Sequence, residues 1–245
     1  MQAVLYVAHG SRVKQGVEEA RTFLQRTSEK VDVAIQEICF LELAEPTIIQ
    51  GVENCVKRGA TKIAVAPILL LTANHLNQDI PQEIAIAQKQ FPHVEITIGR
   101  AFGVDDRLVA SLVERLVATG QPLTDAKVIV VGRGSSDEAV KRDLARVAER
   151  LQQRANIDQV ETCFLYGAGT SFEQIIDQLG QRQQQQQQVI FVLPYLLFSG
   201  LLKTSIEKKI AAVQANNNAI ILCECLGYDD NVQAVLIDRV NEAIV

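Results

Sequence analysis

Short runs of apolar residues alternate with longer amphipathic stretches along the whole chain. Runs such as VLYVAH, IAVAPILLL, VIVVG and VIFVLPYLLF are typical of parallel strands that are buried on both faces. Stretches such as VKQGVEEARTFLQRTSEK carry apolar residues at helical spacing. The pattern therefore predicts an α/β fold with central parallel sheets flanked by helices. The predicted helices lie near residues 13–29, 46–58, 79–90, 105–118, 137–154, 171–180, 203–215 and 229–243.

The second half of the chain repeats the first at an offset of 124 residues. The offset places Gly10 on Gly134, the tripeptide CFL of one half on the CFL of the other, and GVDD on GYDD. Several separate matches at one offset are the signature of an internal duplication. We therefore predict two similar α/β domains, residues 1–120 and 121–245, joined in the segment GQP at 120–122.

The two halves differ in their candidate reactive residues. His9 matches Arg133, Glu42 matches Tyr166, and His75 matches Leu201 or Leu202. Each residue of the first half follows an apolar run, at the predicted carboxyl end of a parallel strand, where α/β sheets bind ligands. Two imidazoles and a carboxylate are suitable ligands for a first-row divalent metal and can accept protons near neutral pH. The halves thus predict one site, built by three side chains of the first copy.

Simpler interpretations exist for each of these residues. A histidine at a strand end can cap the next helix or bond a loop carbonyl, and Glu42 could be a solvent-facing strand residue. Two of the three histidines of the chain, however, follow strands of the same predicted domain. That coincidence favours a shared site. His93, in the segment FPHVE, is predicted to be a surface residue without a catalytic role.

Composition excludes several classes of protein. The net charge of −5, with acidic and basic residues well mixed, argues against a nucleic-acid partner. No apolar run approaches the roughly 18 residues that span a bilayer, and the start of the chain lacks a secretory signal, so we expect a cytoplasmic protein with no membrane partner. The five cysteines are scattered in apolar surroundings. They predict reduced, mostly buried thiols rather than a disulfide framework.

The segment GRGSS at 132–136 is similar to a turn that binds an anion before a helix, although it lacks the full spacing of a nucleotide-binding motif. An anionic substrate would need such a local set of donors. The predicted donors are Gly10, Ser11, Arg12, Arg133, Gly134 and Ser135.

Four segments resemble the two-domain sirohydrochlorin chelatases: VLYVAHGSR at the start, EICFLELAEPTI at 37–48, PILLLTANHLNQDIP at 67–81 and VIVVGRGSSDEAVKRD at 128–143. The resemblance covers nearly the whole chain and is greatest for the bacillus-type ferrochelatases of this family. It implies the class II chelatase fold, with the tetrapyrrole bound between two domains, and catalytic roles for His9, Glu42 and His75. The implied reaction inserts Fe²⁺ into sirohydrochlorin and forms siroheme, with no permanently bound cofactor.

Metallation must remove two pyrrole protons while a hydrated cation loses its waters. We hypothesise that neutral His9 and His75 bind the metal and take up protons, with Glu42 accepting or relaying one of them. The same ligands suit Co²⁺ and Ni²⁺, so a cobaltochelatase is an alternative. A non-catalytic tetrapyrrole- or metal-binding protein and a phosphoryl-transfer enzyme with His9 as nucleophile also remain open. Two complete copies in one chain predict a monomer.

Overall fold

The computed structural model describes residues 1–72, 75–181, 188–214, 220–227 and 229–244, with only the backbone of His75. By its internal contacts the chain divides into two compact units. Unit 1 comprises Met1–Gly103 together with Gln233–Val245, and unit 2 comprises Val104–Val232. No helix among the described residues is long and apolar enough to cross a membrane.

Unit 1 contains a parallel four-stranded sheet in the order β2-β1-β3-β4. Its strands are β1 (Gln2–Ala8), β2 (Ile35–Phe40), β3 (Lys62–Pro67) and β4 (Glu95–Ile98), and its first helices are α1 (Lys14–Ser28), α2 (Ile48–Lys57) and α3 (Ile80–Gln90). One turn of π-helix, His75–Asp79, precedes α3. Apolar residues from β1, β2 and β3 pack against α2 and α3 to form the core. The central strand β1 is buried from its second residue onward, as its continuous apolar run predicts.

Unit 2 contains the equivalent sheet in the order β6-β5-β7-β8. Its strands are β5 (Lys127–Gly132), β6 (Gln159–Phe164), β7 (Ile190–Pro194) and β8 (Ile220–Leu222), and its helices are α4 (Asp106–Val117), α5 (Glu138–Ala155), α6 (Phe172–Gly180) and α7 (Leu201–Gln214). The last helix of the chain is α8 (Asp230–Ala243). Each helix begins and ends within two residues of a predicted range, and the predicted α/β class is confirmed.

The duplication extends to the caps of single helices. Thr47 caps α2 by accepting a hydrogen bond from the backbone N–H of Gln50, whose side chain accepts one from the Thr47 N–H. Ser171 and Gln174 form the same reciprocal pair at α6. Such a capping box satisfies two N–H groups that a helix start otherwise leaves without partners. The same capping box therefore starts the equivalent helix in both repeats, at positions 124 residues apart.

The compact units do not coincide with the repeats of the sequence. Helix α4, from the first repeat, belongs to unit 2, and most of α8 belongs to unit 1. Two equivalent arginines hold these helices. Arg115 of α4 donates to the carbonyl of Leu226 at 2.6 Å, and Arg239 of α8 donates to the carbonyl of Phe102 at 2.8 Å. Each unit thus takes its last helix from the other repeat. The division at residues 120 and 121 stays a prediction about the repeats of the sequence.

Arg239 is expected to contribute strongly to stability because it is 5% exposed and its guanidinium satisfies a buried carbonyl. We predict that Arg239→Ala lowers the free energy of unfolding by about 2–4 kcal/mol, measured by urea denaturation. Arg100→Ala is the matched control, since Arg100 pairs with the same Glu242 from an exposed position. It should cost less than about 1 kcal/mol. Equal losses would show that the buried carbonyl contact is unimportant.

All five cysteines are free and buried, which confirms the prediction of reduced, buried thiols. Burial favours the neutral thiol over the thiolate. It raises the pKa of Cys55, Cys163 and Cys223 to about 12, and that of Cys39 well above its usual range. These residues pack in the core as small apolar side chains.

The raised thiol pKa values predict a loss of stability at alkaline pH. Between the pKa of an unfolded thiol, about 8.5, and about 12, the unfolded chain has lost protons that the folded chain retains. The free energy of unfolding should therefore fall as pH rises above about 9, by up to about 1.4 kcal/mol per pH unit for each thiol. Urea denaturation of the protein and of Cys163→Ala between pH 7 and 10 measures this slope. An unchanged slope in the variant would contradict the assignment.

Candidate active site

The first three strands of unit 1 end at one edge of the sheet. His9 directly follows β1, and Glu42 is the second residue after β2. After β3 the chain continues through Ile68 toward the π-helix. Because β1 lies between β2 and β3, these three carboxyl ends are neighbours. The strand order also reverses between β1 and β3, and open α/β sheets bind ligands at such a switch point.

Backbone hydrogen bonds join the ends of β1 and β2 beyond the last strand residues. Leu41 N–H donates to the Ala8 carbonyl at 2.8 Å, and Glu42 N–H donates to the His9 carbonyl at 3.1 Å. Gly10 follows with φ of 93°, and a Cβ at this position would lie 1.8 Å from the Glu42 carbonyl oxygen. Only glycine permits this approach, because it has no side chain and adopts the left-handed backbone conformation without strain.

The joined strand ends bring the first two candidate side chains together. His9 Nε2 lies 3.5 Å from Glu42 Oε1, and the two side chains are 25% and 49% exposed. Bonds from a first-row metal to nitrogen and oxygen are about 2.0–2.2 Å long, so ligand atoms that share one ion lie roughly 3 Å apart. The pair is therefore close to the spacing for binding one ion.

The third candidate is placed by its backbone alone. His75 begins the π-helix that leads into α3, and its side chain lies outside the described residues. The segment after β3 runs beside β1, because Ile68 N–H donates to the Val7 carbonyl at 2.8 Å. Single π-turns occur frequently at functional sites. Within the described part of the chain, no three His, Cys, Asp or Glu side chains could hold a metal ion together. His9 and Glu42 are thus two of the three predicted groups.

The predicted anion donors fall into two groups. Ser11 Oγ accepts a hydrogen bond from Val13 N–H at 3.0 Å, and Ser135 Oγ accepts one from Asp137 N–H at 3.1 Å, so both hydroxyls order the turn that contains them. Arg12 and Arg133 are exposed. The serine hydroxyls therefore have a local structural role, and the two guanidinium groups lie at the surface.

The predicted anion-binding turn of the second repeat, GRGSS at 132–136, precedes α5. Helix α5 begins at Glu138, and Asp137 caps it by accepting from the Ala139 N–H at 2.8 Å. An acidic residue therefore already interacts with the helix N-terminus. Any anion bound at Gly134 and Ser135 would rely on the turn and on Arg133 rather than on the helix dipole.

Unit 2 repeats the joined strand ends with different side chains. Tyr166 N–H donates to the Arg133 carbonyl at 3.0 Å, and a Cβ at Gly134 would lie 1.8 Å from the Tyr166 carbonyl oxygen. Arg133 and Tyr166 thus occupy the positions that His9 and Glu42 have in unit 1. The backbone arrangement is the same in both copies, and the pair of an imidazole and a carboxylate is present at these positions in the first copy but not in the second.

Leu43 is not among the candidate site residues predicted from the sequence. It follows Glu42, is 49% exposed and has φ of 62°, a left-handed conformation that is rare for a bulky residue. The available signal was its match with Gly167 at the offset of 124 residues. Both positions have a positive φ, which glycine adopts without strain and leucine adopts at an energetic cost.

Two α/β units with equivalent parallel sheets, each ending in the same glycine turn, have the class II chelatase fold. The model of the CbiX family matches residues 3–119 and again residues 127–243. The chain belongs to the CbiX family and matches the family model twice, as the duplication predicted.

Several curated and solved relatives are similar over nearly the whole chain. The sirohydrochlorin ferrochelatase of Priestia megaterium is 46% identical over 241 residues, which cover 98% of this chain and 90% of that protein. The solved structure of SirB from Bacillus subtilis with Fe³⁺ is 41% identical, with a TM-score of 0.89 and coverage of 99% of this chain and 95% of that one. The sirohydrochlorin cobaltochelatase of Priestia megaterium is 33% identical over 254 residues, covering 100% of this chain and 80% of that protein.

The close approach at Gly10 yields a test of the joined strand ends. Gly10→Ala should lower the free energy of unfolding by more than about 2 kcal/mol, because the backbone conformation is unfavourable and the new Cβ must displace the Glu42 carbonyl. Gly120→Ala is the control, since Gly120 also has positive φ but a Cβ there meets nothing within 4 Å. It should cost only about 1–2 kcal/mol. Equal losses in urea denaturation would contradict a tight contact at Gly10.

Proposed function

We propose that this chain is a sirohydrochlorin ferrochelatase, which inserts Fe²⁺ into sirohydrochlorin, releases two protons and forms siroheme. The observation that carries the proposal is the His9–Glu42 pair, 3.5 Å apart at the ligand-binding edge of unit 1. It supplies a metal ligand and a proton acceptor in a chain that is 46% identical to a ferrochelatase.

His9 and His75 are proposed to bind the incoming Fe²⁺ through neutral imidazoles. Each imidazole nitrogen replaces one water of the hydrated cation, so the metal reaches the ring partly dehydrated. Metal binding requires the deprotonated imidazole, so protons compete with the metal for these ligands. The turn at Gly10 fixes the position of His9 relative to the end of β2.

Glu42 is proposed to accept a pyrrole proton as the metal enters the ring. A carboxylate beside an imidazole favours the charged form of the imidazole, so the pair together can hold a proton after metal release. Because the Glu42 side chain is 49% exposed, it can pass that proton to water. A second proton follows the same route, and the site returns to its starting state.

The substrate carboxylates are proposed to bind at Gly10, Ser11, Arg12, Arg133, Gly134 and Ser135. Arg12 and Arg133 are exposed and long, and guanidinium groups pair well with carboxylates. The serine hydroxyls support the turns from within. We further propose that the protein acts as a monomer in the cytoplasm.

Cobalt is the second candidate metal, since the chain is also 33% identical to a cobaltochelatase. Imidazole and carboxylate accept Fe²⁺, Co²⁺ and Ni²⁺, so the ligand set alone does not select one of them. The higher identity to ferrochelatases favours iron. Anaerobic incubation with sirohydrochlorin and either Fe²⁺ or Co²⁺, followed by absorption spectroscopy, should give the higher kcat/KM with iron.

The proposed roles predict the effects of two substitutions. His9→Ala should lower kcat at least a hundredfold because it removes a metal ligand, and Glu42→Gln should lower it about tenfold to a hundredfold because it removes a proton acceptor. Both are measured by the same anaerobic assay, and size-exclusion chromatography of the same samples tests the monomer.

Matched controls come from elsewhere in the same unit. His93→Ala removes the exposed histidine of the loop before β4, and Glu45→Gln removes a carboxylate three residues from Glu42. Both should retain turnover within about twofold of the unaltered protein. If His9→Ala or Glu42→Gln also retains full turnover, the role assigned to that residue is wrong. If the unaltered protein metallates neither with iron nor with cobalt, the proposed function is wrong.

A further inference from the structure

Leu43 combines two features that do not help unit 1 to fold. Its side chain is 49% exposed, so it contributes little to the core, and its backbone lies at φ of 62°. A left-handed conformation places the Cβ of an L-residue against the neighbouring carbonyl and costs energy. Such outliers persist where the surrounding structure or the function requires them.

The second copy shows that the turn itself does not require leucine. Gly167 occupies the equivalent position with φ of 81°, and a Cβ there would lie 2.5 Å from the Ser135 carbonyl oxygen. Glycine adopts this conformation without strain. The first copy therefore keeps a strained, exposed leucine where its sister copy uses the residue that suits the backbone. Neither the backbone of the turn nor packing in the core therefore accounts for the leucine side chain.

The position of Leu43 indicates what it serves. It directly follows Glu42, whose backbone is tied to His9, so its side chain projects from the same strand-end turn as the candidate metal ligands. Three of the seven exposed large apolar residues of the described chain, Leu43, Tyr166 and Leu201, lie in segments that follow the carboxyl ends of strands. These edges therefore offer apolar contacts as well as charges.

We propose that Leu43 is a substrate-positioning residue that packs against the apolar face of the tetrapyrrole beside His9 and Glu42. The inference rests on the proposed function. A tetrapyrrole has flat apolar faces and carboxylates around its rim, so arginines can bind the rim while an aliphatic side chain covers part of a face. Removing apolar surface from water stabilises the complex. The contact also fixes the height of the ring nitrogens above the two reactive groups.

Two substitutions test this contact while preserving the turn. Leu43→Gly relieves the strained conformation, and Leu43→Asn places a polar residue that tolerates positive φ. Each variant is titrated with metal-free sirohydrochlorin under anaerobic conditions, with the change in absorption giving Kd. We expect Kd and the KM for sirohydrochlorin to rise about tenfold in both, with the KM for Fe²⁺ within twofold. Leu43→Met, which retains an apolar chain, should bind within about threefold of the unaltered protein.

Val117→Ala is the control for loss of an exposed apolar side chain, since Val117 is 61% exposed near the end of α4. It should leave Kd unchanged. Thermal denaturation should give Leu43→Gly a Tm equal to or above that of the unaltered protein, which excludes unfolding as the cause of weaker binding. Either a Kd within twofold for both Leu43→Gly and Leu43→Asn, or an equal rise in the KM for Fe²⁺, would overturn the inference. Failure of the unaltered protein to bind or metallate sirohydrochlorin would instead reject the proposed function.

Discussion

The contact between Gly10 and the carbonyl of Glu42 is the constraint on which the candidate site depends. A Cβ at Gly10 would lie 1.8 Å from that oxygen, so the ends of β1 and β2 can approach only with glycine there. The hydrogen bond from Glu42 N–H to the His9 carbonyl closes the joint. With both backbones held, the His9 and Glu42 side chains lie 3.5 Å apart. Such prior positioning lowers the entropic cost of binding a metal.

The two copies share the glycine turn at the strand ends but differ in the side chains that it positions. Unit 2 keeps the glycine, its close approach and the hydrogen bond, but carries Arg133 and Tyr166 in place of the imidazole and the carboxylate. The first copy thus carries the two side chains proposed to bind the metal and accept protons, and the second carries a guanidinium and an aromatic ring at the same positions. The reverse asymmetry occurs one residue later, where the first copy has the strained Leu43 and the second has a glycine.

The exchange of the last helices explains why repeats and compact units differ. Arg115 and Arg239 are equivalent in sequence, and each binds the carbonyl that follows the edge strand of its sheet. The Arg239 guanidinium is buried and needs such a partner, because an unsatisfied buried charge is costly. Each arginine therefore stabilises the packing of its helix within its own unit.

The sequence by itself determined the strands and helices, the duplication and the family, and it singled out His9, Glu42 and His75 as candidate site residues. These follow from hydrophobic periodicity, from a constant offset and from residue types at strand ends, all of which are properties of the chain read in order. Only the tertiary structure decided that α4 and α8 exchange units, that a π-turn begins at His75, and that Leu43 is both strained and exposed. The physical reason is that these features depend on contacts between segments far apart in sequence, such as the approach of Gly10 to Glu42 and the contact of Arg239 with Phe102. A local pattern of residues does not contain that information.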